Sequence, residues 1–108
     1  MTGRPTQSIG DSTAVKSLVI STTPCKLLFV VGTSDATQFV QLHQASSLPS
    51  NGAVPKFNLP VSAGQYFAWD AGANGCDLDK LTVAFSSTQR TLTLAATANG
   101  DIQGVIGL

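Results

Sequence analysis

The sequence predicts an all-β fold: a single small antiparallel β-sandwich, jelly-roll-like or Ig-like, of seven to eight short strands. Three observations predict it. Short apolar runs recur at a spacing of about ten residues, separated by turn chemistry. Asn-Gly pairs at 51–52, 74–75 and 99–100 fall between such runs, and Asn and Gly tolerate the positive φ of tight hairpin turns. No window keeps a helical period over ten residues, and the chain has no glutamate, a good helix former.

The elements follow in order. Met1 to Asp11 carries almost no apolar side chain and reads as a flexible or extended arm. Lys16 to Thr22 is a strand centred on Leu18-Val19-Ile20, stopped by Pro24. Lys26 to Gly32 is apolar on both faces, which points to a central position or an oligomer contact. Thr37 to Gln44 alternates, with Val40 and Leu42 on one face and Phe39, Gln41 and His43 on the other. Ala45 to Val54 is the longest irregular connection. Pro55 to Val61 is a strand whose Pro60 removes a ladder donor, so it belongs at an edge or is broken there. Gln65 to Asp70 is aromatic, with Phe67 and Trp69 opposed to Tyr66. Asp70 to Asp79 reads as a glycine-rich loop. Lys80 to Ser86 places Leu81, Val83 and Phe85 inward and Thr82, Ala84 and Ser86 outward. Thr91 to Thr97 alternates again. Ile102 to Leu108 is a final strand or a tail that docks on a neighbour. The domain plan is thus an arm over 1–12, a sandwich over 13–101 and a strand or docking tail over 102–108.

Charge narrows the function classes. Charged residues make up 11% of the chain, against ~25% in an ordinary domain, and the formal net charge is zero. A surface this neutral does little to repel neighbours, which suits a protein covered by partners. Phosphate binding needs clustered cations, whereas Arg4, Lys16, Lys26, Lys56, Lys80 and Arg90 are scattered, so no nucleic-acid partner is expected. No apolar run reaches the ~20 residues that span a bilayer, and the first twelve residues lack the apolar core of a secretory signal. Synthesis in a cytosol-like compartment is expected; Cys25 and Cys76 could pair, since sequence does not fix their distance, and the preferred expectation is two reduced, apolar-like thiols.

No catalytic, cofactor-binding or metal-ligating set is nominated. His43 is the sole histidine and has no carboxylate near it in sequence, so a base with an oriented nucleophile is not legible. Cys25, His43 and Cys76 are too dispersed for a zinc site. Asp70-Ala71-Gly72-Ala73-Asn74-Gly75 resembles the start of a calcium loop. It fails where Gly72 replaces an oxygen ligand and Leu81 stands at the position of the bidentate Glu. Asp11, Asp35, Asp70, Asp77, Asp79 and Asp101 are explained by turns. Among Tyr66, Phe67 and Trp69, the last two are expected in the core, leaving Tyr66 as a surface stacking candidate.

The segment Gln38-Phe39-Val40-Gln41-Leu42-His43, then Ala45-Ser46-Ser47-Leu48-Pro49 and Asn51-Gly52-Ala53-Val54-Pro55, resembles small structural proteins of tailed bacteriophages. The resemblance continues through Val61-Ser62-Ala63-Gly64, Trp69-Asp70-Ala71-Gly72, and Leu81 to Thr88 with Thr91-Leu92-Thr93, covering about residues 18–97. It departs from the pattern at Ala68-Trp69 and at Cys76. It implies a non-enzymatic β-sandwich of the virion, assembled in the host cytoplasm. The preferred expectation is a capsid decoration or cement protein. It would bind the major capsid protein or other virion proteins as a homo-oligomer, with no nucleic acid and no membrane. The alternatives are a tail, collar or fibre module, or a carbohydrate-binding sandwich using Tyr66 and the loop 45–55. In the decoration reading the arm, the strand 26–32 and the C-terminal tail are the expected contacts.

Overall fold

A computed structural model describes residues 6–10, 14–72, 74–94 and 100–107. Among them are nine strands and no helix: β1 (Thr6–Gly10), β2 (Ser17–Ser21), β3 (Cys25–Ser34), β4 (Gln38–His43), β5 (Phe57–Val61), β6 (Tyr66–Asp70), β7 (Cys76–Leu78), β8 (Leu81–Ser86) and β9 (Gly100–Gly107). One sheet runs β1-β9-β3-β6, with β7 also on β3; the other runs β2-β8-β4-β5. All pairs are antiparallel.

The pairings nest: β1 with β9, β2 with β8, β3 with β6 and β4 with β5. This is an antiparallel ribbon rolled on itself, and of the two sandwich topologies expected it is the jelly roll. The aromatic strand and the Pro60 strand lie at edges, the positions at which a sheet tolerates proline.

The core lies between the sheets. Ile20, Leu27, Val30, Val40, Leu42, Phe67, Val83, Phe85, Ile102 and Ile106 are buried there. Each such side chain contributes about 1.5–3 kcal/mol relative to exposure. Phe67 meets Phe85 edge-on with ring centroids 5.9 Å apart. Phe57 and Trp69, 4.8 Å apart, close the β5–β6 side of the sandwich.

The apolar run 27–31 has a specific cause. The register of β3 against β9 passes from Leu27↔Ile106 to Phe29↔Val105, leaving Leu28 as the extra residue of a bulge. Leu27 and Val30 therefore both face the core, while Phe29 and Val31 face outward.

Several expectations change. The described part of the arm, Thr6–Gly10, is an edge strand bonded to β9; residues 1–5 and 11–13 lie outside the described residues. Of the two readings of 102–108, the described residues to Gly107 give the final strand: they belong to β9, flanked by β1 and β3. The loop 70–79 contains the short strand β7, which extends the β3 ladder. The expected strand 91–97 reduces, in its described part, to one bridge between Ser86 and Leu94; residues 95–97 are outside the description. Hydroxyls compete for its backbone: Thr93 N–H donates to Ser86 Oγ at 3.0 Å, and Thr88 Oγ1 donates to the Thr91 carbonyl at 2.6 Å. At the Asn-Gly turns 51–52 and 74–75 only the glycines take positive φ, 97° and 71°.

Candidate interaction face

The two outer faces of the sandwich differ. On the β2-β8-β4-β5 sheet, Thr82, Ala84 and Ser86 point outward, as the alternation requires, yet all three are buried. The segments 44–56 and 87–94 fold over them. Those segments are joined to each other by Gly52 N–H to the Leu92 carbonyl and Leu92 N–H to the Ala53 carbonyl, both 2.7 Å. Asn51 Oδ1 accepts from Leu94 N–H at 3.0 Å. Leu92 is 1% exposed beneath them. Beneath the cover, Thr82 Oγ1 donates to the Ala45 carbonyl and Gln41 Nε2 to the Thr88 carbonyl, both at 2.8 Å.

His43 belongs to this covered layer. It is buried, its Nε2 lies 2.9 Å from Gln41 Oε1, and burial pushes its pKa below the ordinary 6.5. The histidine is a buried group bonded to its neighbour on β4, not a surface group.

The β1-β9-β3-β6 sheet has no such cover among the described residues. Its outward side chains form three rungs across β6, β3 and β9. Tyr66, Thr33 and Asp101 make the first, Ala68, Val31 and Gln103 the second, and Asp70, Phe29 and Val105 the third. Tyr66 is 83% exposed and Phe29 38%. Next to the third rung, Ser8 on β1 holds Gln103 through an Nε2–Oγ bond of 2.5 Å. The apolar centre is Phe29, Val31, Ala68 and Val105.

The face ends in charge. Lys26 Nζ contacts Asp77 Oδ1 at 3.1 Å and donates to the Asn74 carbonyl at 3.1 Å. Asp70 Oδ1 accepts from Gly72 N–H at 2.7 Å, closing the turn after β6. These contacts employ Asp70 and Asp77 of the calcium-like segment in a turn and an ion pair. No group of three or more His, Cys, Asp or Glu residues suited to a metal ion occurs among the described residues.

The surface tyrosine and the loop 45–55 do not form one site. Tyr66 stands on the outer face of one sheet, and the loop lies over the outer face of the other. Tyr66 instead overlooks a slot of about 410 Å³ lined by Val31, Thr33, Ala68, Asp101 and Gln103. Cys25 and Cys76, both free, sit on the inner side where β3 meets β7.

Comparison of the chain with protein-family models, with curated proteins and with solved structures found no match.

Sequence reasoning reached Tyr66 and nominated the strand 26–32 and the C-terminal segment as contacts, but not the single face they form together. Its residues come from three strands that are distant in the chain, and only the pairing of β3 with β9 brings Asp101 and Val105 beside Phe29 and Thr33. The local signal was the apolar run 27–31, which has more apolar residues than one core face needs.

Proposed function

We propose that this protein is a non-enzymatic structural protein of a virion, a decoration or cement protein that binds the outer shell of a tailed-phage head. The observation that carries the docking role is the uncovered apolar face of Phe29, Val31, Ala68 and Val105. The same chain uses two whole segments to cover the opposite sheet, so exposure on this side is selective. Contiguous apolar surface rimmed by polar groups is the usual mark of a protein contact. The phage assignment draws on the resemblance of residues 18–97, and zero net charge suits a protein packed among copies and partners.

In this reading the contact uses the outer face of the sheet, to which the nominated strand 26–32 gives Phe29 and Val31 and the C-terminal segment gives Val105. β3 and β9 are both paired on each side, so neither is free to add to a partner's sheet. Particle binding gains from many copies acting together. Cosedimentation of purified protein with phage heads tests it. Wild-type protein pellets with heads, and Phe29→Glu, which puts a charge in the apolar centre without touching the core, stays in the supernatant while melting as the wild type does. Equal pelleting of the two proteins removes this face from the contact.

A further inference from the structure

We propose that the slot between Tyr66 and Asp101 seats an arginine side chain supplied by the partner protein. The inference rests on the docking role above and names the chemistry of its anchor.

Thr33 lies in the middle of its rung, with Tyr66 on β6 to one side and Asp101 on β9 to the other. Strands are ~4.8 Å apart, so the backbones of Tyr66 and Asp101 are about 10 Å apart. Both side chains rise from the same face, and Thr33, Gly32 and Val31 of β3 contribute to the floor between them, beside Ala68 and Gln103. The result is a slot with one aromatic wall and one acceptor wall.

The walls select a cation. The tyrosine ring attracts positive charge over its face. Across from it, the Asp101 carboxylate accepts hydrogen bonds only. Gln103 has committed its Nε2 to Ser8, which leaves its Oε1 to accept as well. Asp70 adds a second carboxylate to the face. Lys26, the cation on this face among the described residues, is already held by Asp77 and the Asn74 carbonyl. A guanidinium is the group that stacks flat on an aromatic ring and gives parallel donors to a carboxylate; an ammonium does the second less well. A second copy docked face to face would set Asp70 and Asp101 against their own like charges, which disfavours it.

The test is a titration of the ¹⁵N-labelled full chain with N-acetyl-arginine amide, N-acetyl-leucine amide and maltotriose. The arginine compound is expected to shift the amides of Thr33, Tyr66 and Asp101 in a saturable, salt-sensitive way. Tyr66→Leu is expected to weaken it about 2- to 5-fold, the size of an exposed cation–π contact, and Asp101→Asn up to about 5-fold, the size of an exposed ion pair. Shifts by maltotriose at these amides without shifts by the arginine compound, or no saturable arginine shift there, overturns the assignment. Cosedimentation separates this failure from failure of the docking role. If Asp101→Asn pellets as wild type while Phe29→Glu does not, the slot is wrong and the face stands. If neither substitution matters, the face itself is wrong.

Discussion

Gln41 Oε1 accepts a hydrogen bond from His43 Nε2 at 2.9 Å, and this bond fixes how one face of the sandwich is covered. With its oxygen turned to His43, Gln41 presents its amide nitrogen to the Thr88, Gln89 and Thr91 carbonyls at 2.8, 3.1 and 3.2 Å. Two residues on one side of β4 thereby tie the 87–94 segment to the sheet. His43 must carry its proton on Nε2, because the glutamine oxygen can only accept.

Gln41→Leu removes that tie while filling most of the volume. It leaves the buried His43 Nε2–H without its acceptor and the Gln89 carbonyl without its side-chain donor, and a buried polar group left unpaired costs about 1–3 kcal/mol. Urea unfolding is expected to show a loss of about 2–3 kcal/mol. Limited proteolysis is expected to cut first within 87–91. Unchanged stability with an unchanged cleavage pattern would mean the loop is held by Ser86 and Thr88 alone.

Acid should weaken the same layer. Burial lowers the pKa of His43, so the unfolded chain takes up its proton near the ordinary 6.5 while the folded chain resists until a lower pH. Between those values the unfolded state binds more protons. The His43 contribution is therefore complete above pH 6.5 and falls as pH drops through that window. Thermal melts from pH 7.5 downward are expected to show a falling Tm that is flatter in His43→Gln. An identical pH profile in the two proteins would contradict it.

Gly32 marks the closest approach of β3 to β9 and β6. A Cβ there would collide with the Asp101 carbonyl oxygen and come within 2.6 Å of Phe67 Cζ. Backbone cannot yield as a side-chain tip can, so Gly32→Ala is expected to cost about 2–3 kcal/mol. It should also shift the Phe67 and Asp101 resonances. A stability within experimental error of wild type would show that the two sheet strands are looser than this packing implies.

Most strands were legible because their alternation is local. Leu81, Val83 and Phe85 needed only the period of two, and Pro60 announced its own edge. Thr82, Ala84 and Ser86 do face outward as the alternation requires, yet they are buried: alternation tells which face a side chain takes, not what lies over that face. The cover comes from segments 44–56 and 87–94, whose irregular sequences show no period. The polar composition of Thr6–Gly10 likewise hid a strand, since an edge strand with one neighbour buries little. The two glycines in 102–107 hid a central one. Gly104 is there because a Cβ would meet Ile20 Cδ1 at 2.9 Å.

Cys25 and Cys76 should remain thiols. Cys25 lies opposite Leu78, and Cys76 opposite Leu27, so the cysteines are diagonal neighbours, a relation that separates backbones by ~7–8 Å. A disulfide needs Cα atoms within about 4.4–6.8 Å. Burial also pushes the Cys25 thiol up from its ordinary value, which lowers its thiolate fraction. After incubation with oxidised glutathione, intact-mass analysis is expected to find no loss of two hydrogens. Quantitative formation of an internal disulfide would show that β7 moves against β3.

The claim that this is a shell-binding structural protein is tested most directly by its copy number. Quantitative mass spectrometry of purified phage particles, with the major capsid protein as internal reference, is expected to give a fixed simple ratio between the two chains, with copies in the hundreds per particle. A dozen copies or so would place the protein at a vertex or in the tail and contradict decoration of the lattice. Its absence from particles would contradict a role in the virion altogether.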